Sequence, residues 1–197
     1  MDTTPTTWTI LDAAHTALRD AVTGVRTDQW DGPTPCSGWT VTQVLQHAAG
    51  DQQAYAAVLG EGDFPAYDPF SPSGTVETSA LELLDPPLTA SRHAFSRVGA
   101  DDAAVAVPLP QARLAAPVAV GAAALDAAVH AWDIAVATGQ HSPMDAALAE
   151  QLYAVAVEIV EPLRGFAYAA ALPGDDGDAV DRLLRYLGRD PRWSPTA

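Results

Sequence analysis

Residues 122–138, AAALDAAVHAWDIAVAT, form an alanine-rich segment with the apolar spacing of a single amphipathic helix. The segment carries Asp126 and His130 four residues apart. Because an α-helix completes a turn in about 3.6 residues, the two side chains project from the same face and can close on one ion. Spacing alone leaves an alternative, in which Asp126 is a solvated surface residue and His130 a core histidine with satisfied hydrogen bonds.

A third ligand is expected from a second helix that contains His47. Thr40 and Gln43 have the spacing of a capping box, with threonine as the N-cap and glutamine at the third helical position. This pattern predicts a helix over residues 41–59, with His47 on or next to its inward face. The sequence therefore predicts a small helix bundle built around one metal ion.

The predicted metal ligands are His47, Asp126 and His130. Catalytic zinc is usually held by three protein ligands, which leaves one position open for water or substrate. Two neutral imidazoles and one carboxylate leave a net charge of about +1 on a dipositive ion, which can bind an anion or stabilise a thiolate. Zinc is the expected metal, with nickel, iron and manganese as alternatives.

Asp133 and His15 are the candidate catalytic residues beyond the three ligands. Asp133 follows His130 by three residues, so it can hydrogen-bond a ligand imidazole and fix its tautomer. An ordinary salt bridge or a helix-end interaction is the alternative for Asp133. His15 is expected to reach the site from the first helix, and either residue could orient a ligand or move a proton. Cys36 is interpreted as a buried structural thiol, because nothing near it in the sequence activates it.

The remaining signals predict an all-α fold in a single domain spanning residues 1–197. It consists of a four-helix bundle, a short extended or hairpin crossover over residues 101–120, and extra C-terminal helices. A short helical piece is expected over residues 76–84, before the third helix. The fourth helix is expected to start near Gly121. The other expected helix N-caps are Thr6 or Thr7, Asp85, Ser142 and Asp178.

Composition narrows the classes of partner and compartment. A net charge of -15 repels phosphate backbones and anionic lipid, so neither nucleic acid nor a membrane is an expected partner. The first ten residues show no basic region followed by an apolar run, so no signal peptide is expected. One cysteine excludes an intrachain disulfide and fits a reducing compartment, which predicts a cytoplasmic protein. Both a monomer and a homodimer remain open.

Three stretches carry a resemblance to a known family, namely residues 33–51 (PTPCSGWTVTQVLQHAAGD), 126–140 (DAAVHAWDIAVATGQ) and 181–193 (DRLLRYLGRDPRW). Together they resemble the actinobacterial, mycothiol-dependent maleylpyruvate isomerase-like branch of the DinB/YfiT-like superfamily. The resemblance implies a DinB-like four-helix core with an internal metal site. It also implies that the ligands of this site are His47, Asp126 and His130.

The resemblance further implies an activity. Members of this branch include transferases and isomerases that use a low-molecular-weight thiol, such as mycothiol or bacillithiol, as cosubstrate. The implied function is a divalent-metal-dependent S-transferase or thiol-dependent isomerase acting on a small electrophile. The alternative is a non-enzymatic, metal-containing binding or regulatory bundle. The family isomerase resembles this chain with glutamate at the position of Asp126. It also has an extra C-terminal domain, for which no counterpart is expected here, so maleylpyruvate itself is not predicted as the substrate.

Overall fold

Amphipathic and alanine-rich segments form six α-helices in the computed structural model, which describes residues 6–174 and 176–195. The helices are α1 (Thr9–Thr23), α2 (Val41–Val58), α3 (Ala80–Ser96), α4 (Ala116–Ala137), α5 (Ala146–Ile159) and α6 (Ala179–Tyr186). A single 3-10 turn, Glu161–Leu163, follows α5, and two short strands, β1 (Val105–Ala106) and β2 (Arg113–Leu114), precede α4. The predicted all-α fold is confirmed.

Helix α4 lies at the centre of the fold. Ten of its 22 residues are alanine, and nearly all of its side chains are buried. By length and composition α4 could cross a membrane, yet 94% of its most apolar window is buried inside the protein. A helix that is apolar on every side is typical of a protein core, and the neighbouring helices account for this burial.

Helices α1 to α4 form a four-helix bundle. Both α1 and α2 pack against α4, and α3 packs against α1 and α2. Helix α5 covers another side of α4, and α6 packs on α5. One hydrophobic core extends from Leu11 in α1 to Leu187 just after α6. The bundle thus brings α2 and α4, which carry the predicted ligands, into direct contact.

Several local predictions are confirmed. Thr40 and Gln43 form the expected capping box at the start of α2, and the Asp178 carboxylate caps α6. The crossover before α4 is a minimal antiparallel hairpin, in which Val105 of β1 lies opposite Leu114 of β2. In each case the capping or strand-pairing signal lies within a few residues of the structure it specifies.

The expected capping of α1 by Thr6 or Thr7 is wrong. The helix begins at Thr9 after Trp8, and no side chain caps it. The preceding residues instead bond to the end of α3. The Trp8 indole N–H donates to the Phe95 carbonyl at 3.0 Å, and the Thr6 backbone N–H donates to the Ser96 carbonyl at 2.9 Å. Long-range contacts therefore set the entry of α1.

The expected start of the third helix at Asp85, after a separate piece over residues 76–84, is also wrong. Helix α3 is continuous through Pro86 and Pro87, because a capping box formed by Ser79 and Glu82 starts it earlier in the chain. The two prolines each remove a backbone donor from the helix. The Asp85 carboxylate does not cap a helix but pairs with an arginine of α1.

Two further helix starts differ from the predictions. Helix α4 begins at Ala116, five residues before Gly121, because Pro117 occupies the first turn, where its missing N–H is not needed. The N-cap of α5 is Asp145, whose carboxylate accepts from the Leu148 N–H at 2.8 Å. The Ser142 hydroxyl accepts from a backbone N–H within the preceding turn instead.

The contact between α4 and α5 depends on Gly121, and we predict that Gly121→Ala destabilises the protein. An added Cβ would overlap the Val155 side chain, whose β-branched rotamer is stiff. Overpacking of about 1–3 kcal/mol should outweigh the gain of about 1 kcal/mol in helix propensity. Urea unfolding measures the free energy. The double variant Gly121→Ala/Val155→Ala should be less sensitive to the added methyl, and a single variant as stable as the parent would contradict the packing described.

Candidate metal centre

Three side chains from two helices meet at one point inside the bundle. His47 comes from α2, and Asp126 and His130 come from successive turns of α4. Their ligand atoms all lie within 4.8 Å of one another. The Asp126 Oδ1 atom is 3.4 Å from His130 Nε2 and 3.7 Å from His47 Nε2. The structure therefore brings the three predicted ligands together, and it does so at a buried position.

A hydrogen bond at Nδ1 orients each of the two imidazoles. The His47 Nδ1–H donates to the Pro69 carbonyl at 2.9 Å, and the His130 Nδ1–H donates to Asp133 Oδ2 at 2.9 Å. These bonds place a proton on each Nδ1, so Nε2 is the ring atom that faces Asp126 and is available to bind a metal. Among the described residues, Asp126 Oδ2 is buried and has no hydrogen-bond partner. A buried carboxylate that faces two imidazoles through one oxygen and has no partner for the other fits a divalent cation.

The charge distribution also favours a cation. Burial alone would lower the pKa of His130, but the carboxylates of Asp126 and Asp133 outweigh burial and raise that pKa well above its usual range. Burial and the neighbouring His130 lower the pKa of His47 to about 4. The His130 side of the site therefore holds a positive charge, which can be a proton or a metal. Because both would occupy Nε2, metal binding should release a proton.

Asp51 is a site residue that sequence reasoning missed. Its Oδ2 lies 3.7 Å from His47 Nε2, on the next turn of α2. Burial and the nearby Asp126 raise the pKa of Asp51 well above its ordinary value. A signal was present, because Asp51 follows His47 by four residues, the same separation that links Asp126 and His130.

Asp133 makes both of the interactions considered for it. Besides orienting His130, its two oxygens accept from the Arg189 guanidinium at 2.9 Å each. Burial would raise the pKa of Asp133, but Arg189 and His130 hold it far below its usual range. The carboxylate is fully buried and does not line the cavity above the site. Asp133 is therefore suited to positioning His130 and not to contacting a substrate.

Cys36, interpreted from the sequence as a buried structural thiol, is only partly buried and contacts Asp133 and Arg189. Its thiol donates to Asp133 Oδ2 at 3.1 Å and accepts from Arg189 Nη2 at 3.3 Å. Its Sγ atom lies 3.9 Å from His130 Nδ1. Cys36, Asp133 and Arg189 form what we call the Arg189 cluster. It was missed because these residues lie at positions 36, 133 and 189, far apart in sequence.

The structure does not bring His15 to the site. Its Nε2 lies 2.8 Å from Gln52 Oε1, and the Gln52 amide in turn donates to the Ala123 carbonyl of α4. His15 is 1% exposed and does not line the cavity. Burial lowers the pKa of His15 to about 4, so it is neutral at pH 7. The residue packs α1 against α2 and α4 and is not placed to contact a substrate.

A cavity of about 680 Å³ opens above the three ligands. All three line it, together with Asp51, Cys36 and Arg189. The segment over residues 60–74 reaches this cavity through Phe70, whose ring centroid lies 5.3 Å from that of His47. Phe70 also contacts Phe166 at 5.1 Å. The remaining wall is formed largely by Trp39, Tyr55, Pro108, Leu109, Ile159, Leu163 and Tyr168.

The burial of His15 generates a prediction for stability against pH. Because folding lowers its pKa from 6.5 to about 4, its neutral form stabilises the fold fully above pH 6.5, and this contribution is lost as the pH falls towards 4. The loss should reach about 3 kcal/mol. Urea unfolding between pH 7 and 4, with EDTA present, should show a shallower dependence for His15→Gln, which keeps a donor to Gln52. Equal slopes would show that His15 does not stay neutral in the fold.

Comparisons with known proteins agree with this architecture. The family model described as mycothiol maleylpyruvate isomerase N-terminal domain matches residues 11–135, which include all three candidate ligands. Two relatives are the uncharacterized proteins MT0763 and Rv0738 of Mycobacterium tuberculosis, from strains CDC 1551 / Oshkosh and ATCC 25618 / H37Rv. Each is 31% identical over 188 residues, which cover 91% of this chain and 97% of the relative. No solved structure matches the chain. The chain belongs to the mycothiol maleylpyruvate isomerase N-terminal domain family, which is a DinB-like family.

Proposed function

We propose that the protein is a divalent-metal-dependent enzyme that uses a low-molecular-weight thiol, such as mycothiol, to act on a small electrophile. The reaction would be an S-transfer or a thiol-dependent isomerisation. One observation carries the proposal, namely the convergence of two imidazole Nε2 atoms and Asp126 Oδ1 at the floor of the 680 Å³ cavity. Membership of a family named for a mycothiol-dependent isomerase supports the choice of thiol.

The ligands would be His47, Asp126 and His130, with zinc as the expected metal. When bound, such a metal supplies a positive charge that lowers the pKa of a ligating thiol and favours the thiolate. The protein contributes orientation. The Pro69 carbonyl and Asp133 keep a proton on each Nδ1, so that both Nε2 lone pairs face the site. Asp133 remains ionised because Arg189 binds both of its oxygens.

The cavity would bind the electrophile and limit its contact with water. Phe70 lies over His47 and contacts Phe166, so the two rings form a rim between the site and the solvent. Trp39 also packs against His47, with ring centroids 4.9 Å apart. An apolar wall of this kind retains the body of a small organic molecule while leaving the polar floor available for the reacting groups.

An enzyme of this kind should depend on its bound metal. Purified protein mixed with mycothiol and 1-chloro-2,4-dinitrobenzene should catalyse thioether formation, and a chelator should abolish the rate. His130→Ala should lose most of the bound metal, as measured by elemental analysis, because two ligands rarely hold a divalent ion tightly. The matched control is His93→Ala, since His93 lies on the exposed side of α3 and pairs with Glu61.

The outcomes separate two questions. Equal metal content in the His130→Ala and His93→Ala variants would contradict the ligand assignment. Stoichiometric metal with no thiol-dependent turnover, across a panel of electrophiles, would contradict the enzyme and support a metal-containing binding protein.

The hydrogen bond from His47 Nδ1 to the Pro69 carbonyl should be needed for tight metal binding. A Cβ at Gly50 would lie 2.7 Å from the Pro69 ring and 3.2 Å from the Tyr67 hydroxyl. Gly50→Ala should therefore displace the segment whose Pro69 carbonyl holds His47 Nδ1. Loss of such support typically weakens metal affinity about 10–100-fold. A competition titration with a metal indicator measures the affinity.

Helix content, followed by circular dichroism, should not change in Gly50→Ala. The double variant Gly50→Ala/Pro69→Ala removes the clashing ring atom and should recover most of the affinity. An unchanged metal affinity in the single variant would show that the Pro69 carbonyl is not needed to orient His47.

A further inference from the structure

Arg189 is the single arginine or lysine among the described residues that line the cavity. Arg189 lies just after α6 and is preceded by Gly188, which adopts a left-handed conformation with φ of 79°. A side chain at residue 188 would also meet the Ala169 methyl at 2.7 Å and the Ala170 carbonyl at 2.9 Å. Glycine is therefore required at this turn, which directs the following side chain towards α4. The DRLLRYLGRDPRW motif thus places a cation in the cavity wall.

The hydrogen bonds of Arg189 use only part of its guanidinium. Nε donates to Asp133, and Nη2 donates to Asp133 and to the Cys36 sulfur. An arginine has five N–H donors, and these contacts account for the Nε–H and both hydrogens of Nη2. Among the described residues, Nη1 has no acceptor, although the side chain is only 11% exposed. The two N–H groups of Nη1 are therefore free to bind a ligand.

The charge of Arg189 is not fully cancelled by its partner. Asp133 also accepts hydrogen bonds from His130 and from the Cys36 thiol, so its negative charge is shared among three donor groups. The other carboxylates that line the cavity, Asp51 and Asp126, contact His47. A buried guanidinium with free donors favours an oxyanion, and the planar carboxylate is its usual partner.

The rest of the wall favours an apolar body on the same ligand. Leu109, Ile159 and Leu163 line the cavity, and Phe70 and Phe166 form its rim. A volume of about 680 Å³ lies within the range of sites that hold drug-sized molecules, well above the needs of a two- or three-carbon acid.

We infer that Arg189 is an anion-binding residue of the cavity and that its free Nη1 edge binds the carboxylate of a small organic acid with an extended apolar body. This inference deepens the proposed function, because it names the chemical class of the electrophile for the same cavity. The carboxylate would bind Nη1 at one end of the ligand, and the apolar body would lie against Leu109, Ile159 and Leu163.

The test compares two probes that differ only in charge. Isothermal titration with 4-phenylbutyrate and with its amide, 4-phenylbutyramide, measures the preference for the carboxylate. The wild-type protein should bind the acid about tenfold more tightly than the amide, as expected for a charge-assisted pair. Arg189→Gln should bind the two within about twofold while keeping the affinity for the amide. Arg185→Gln is the matched control, because Arg185 lies one turn earlier, pairs with Asp176 and does not line the cavity.

Each titration is made on zinc-loaded and on EDTA-treated protein, so that binding of the carboxylate to a metal is separated from binding to Arg189. No preference in the wild type, or a preference that survives in Arg189→Gln, would overturn the inference. If Arg189→Gln does not fold, Arg189→Lys provides the test. Lysine keeps the charge but loses the planar donors, so the preference for the carboxylate should fall to a few-fold. An unreduced preference in Arg189→Lys would also overturn the inference. These titrations contain no thiol, so they do not depend on the proposed enzyme activity. If the carboxylate preference depends on Arg189 but the protein shows no thiol-dependent turnover, the proposed enzyme is contradicted and this inference still holds.

Discussion

Helix α4 carries Asp126, His130 and Asp133 although it is buried on every side. A buried charge without a partner costs several kcal/mol, so each of these groups requires a compensating contact from elsewhere in the fold. Asp133 is compensated by Arg189 and by His130. One oxygen of Asp126 faces the two imidazoles, and the other has no partner among the described residues. Asp126 is therefore the buried group of α4 that still requires a positive charge beside it.

This constraint explains why distant parts of the chain converge on α4. Helix α2 contributes His47, the segment over residues 60–74 contributes the Pro69 carbonyl, and the end of α6 contributes Arg189. None of these contacts forms between neighbours in the sequence. The site is therefore a product of the complete bundle, and the apolar packing of α1 to α4 determines the geometry in which the polar groups meet. Polar groups supported in this way are preorganised, which is the main contribution a protein makes to a metal centre.

The sequence predicted those features whose signals are local. The spacing of Asp126 and His130 placed them on one face of a helix, and Thr40 with Gln43 located the start of α2, which positions His47. The same spacing rule would have revealed Asp51. Arg189 could not be found in this way, since its partner Asp133 lies 56 residues away and ion pairing leaves no periodic pattern. His15 has the residue type of a site group, but its partner Gln52 lies in the core. Only the fold shows that Arg189 belongs to the site and that His15 does not.

X-ray absorption spectroscopy of the zinc-loaded protein tests this metal centre most directly. A centre held by His47, Asp126 and His130 should show a first shell of nitrogen and oxygen donors only, with outer-shell scattering from two imidazoles. Cys36 lies 3.9 Å from His130 Nδ1 and would belong to the alternative ligand group of Cys36, His130 and Asp133. A zinc–sulfur distance of about 2.3 Å in the first shell, or scattering from one imidazole alone, would contradict the centre described.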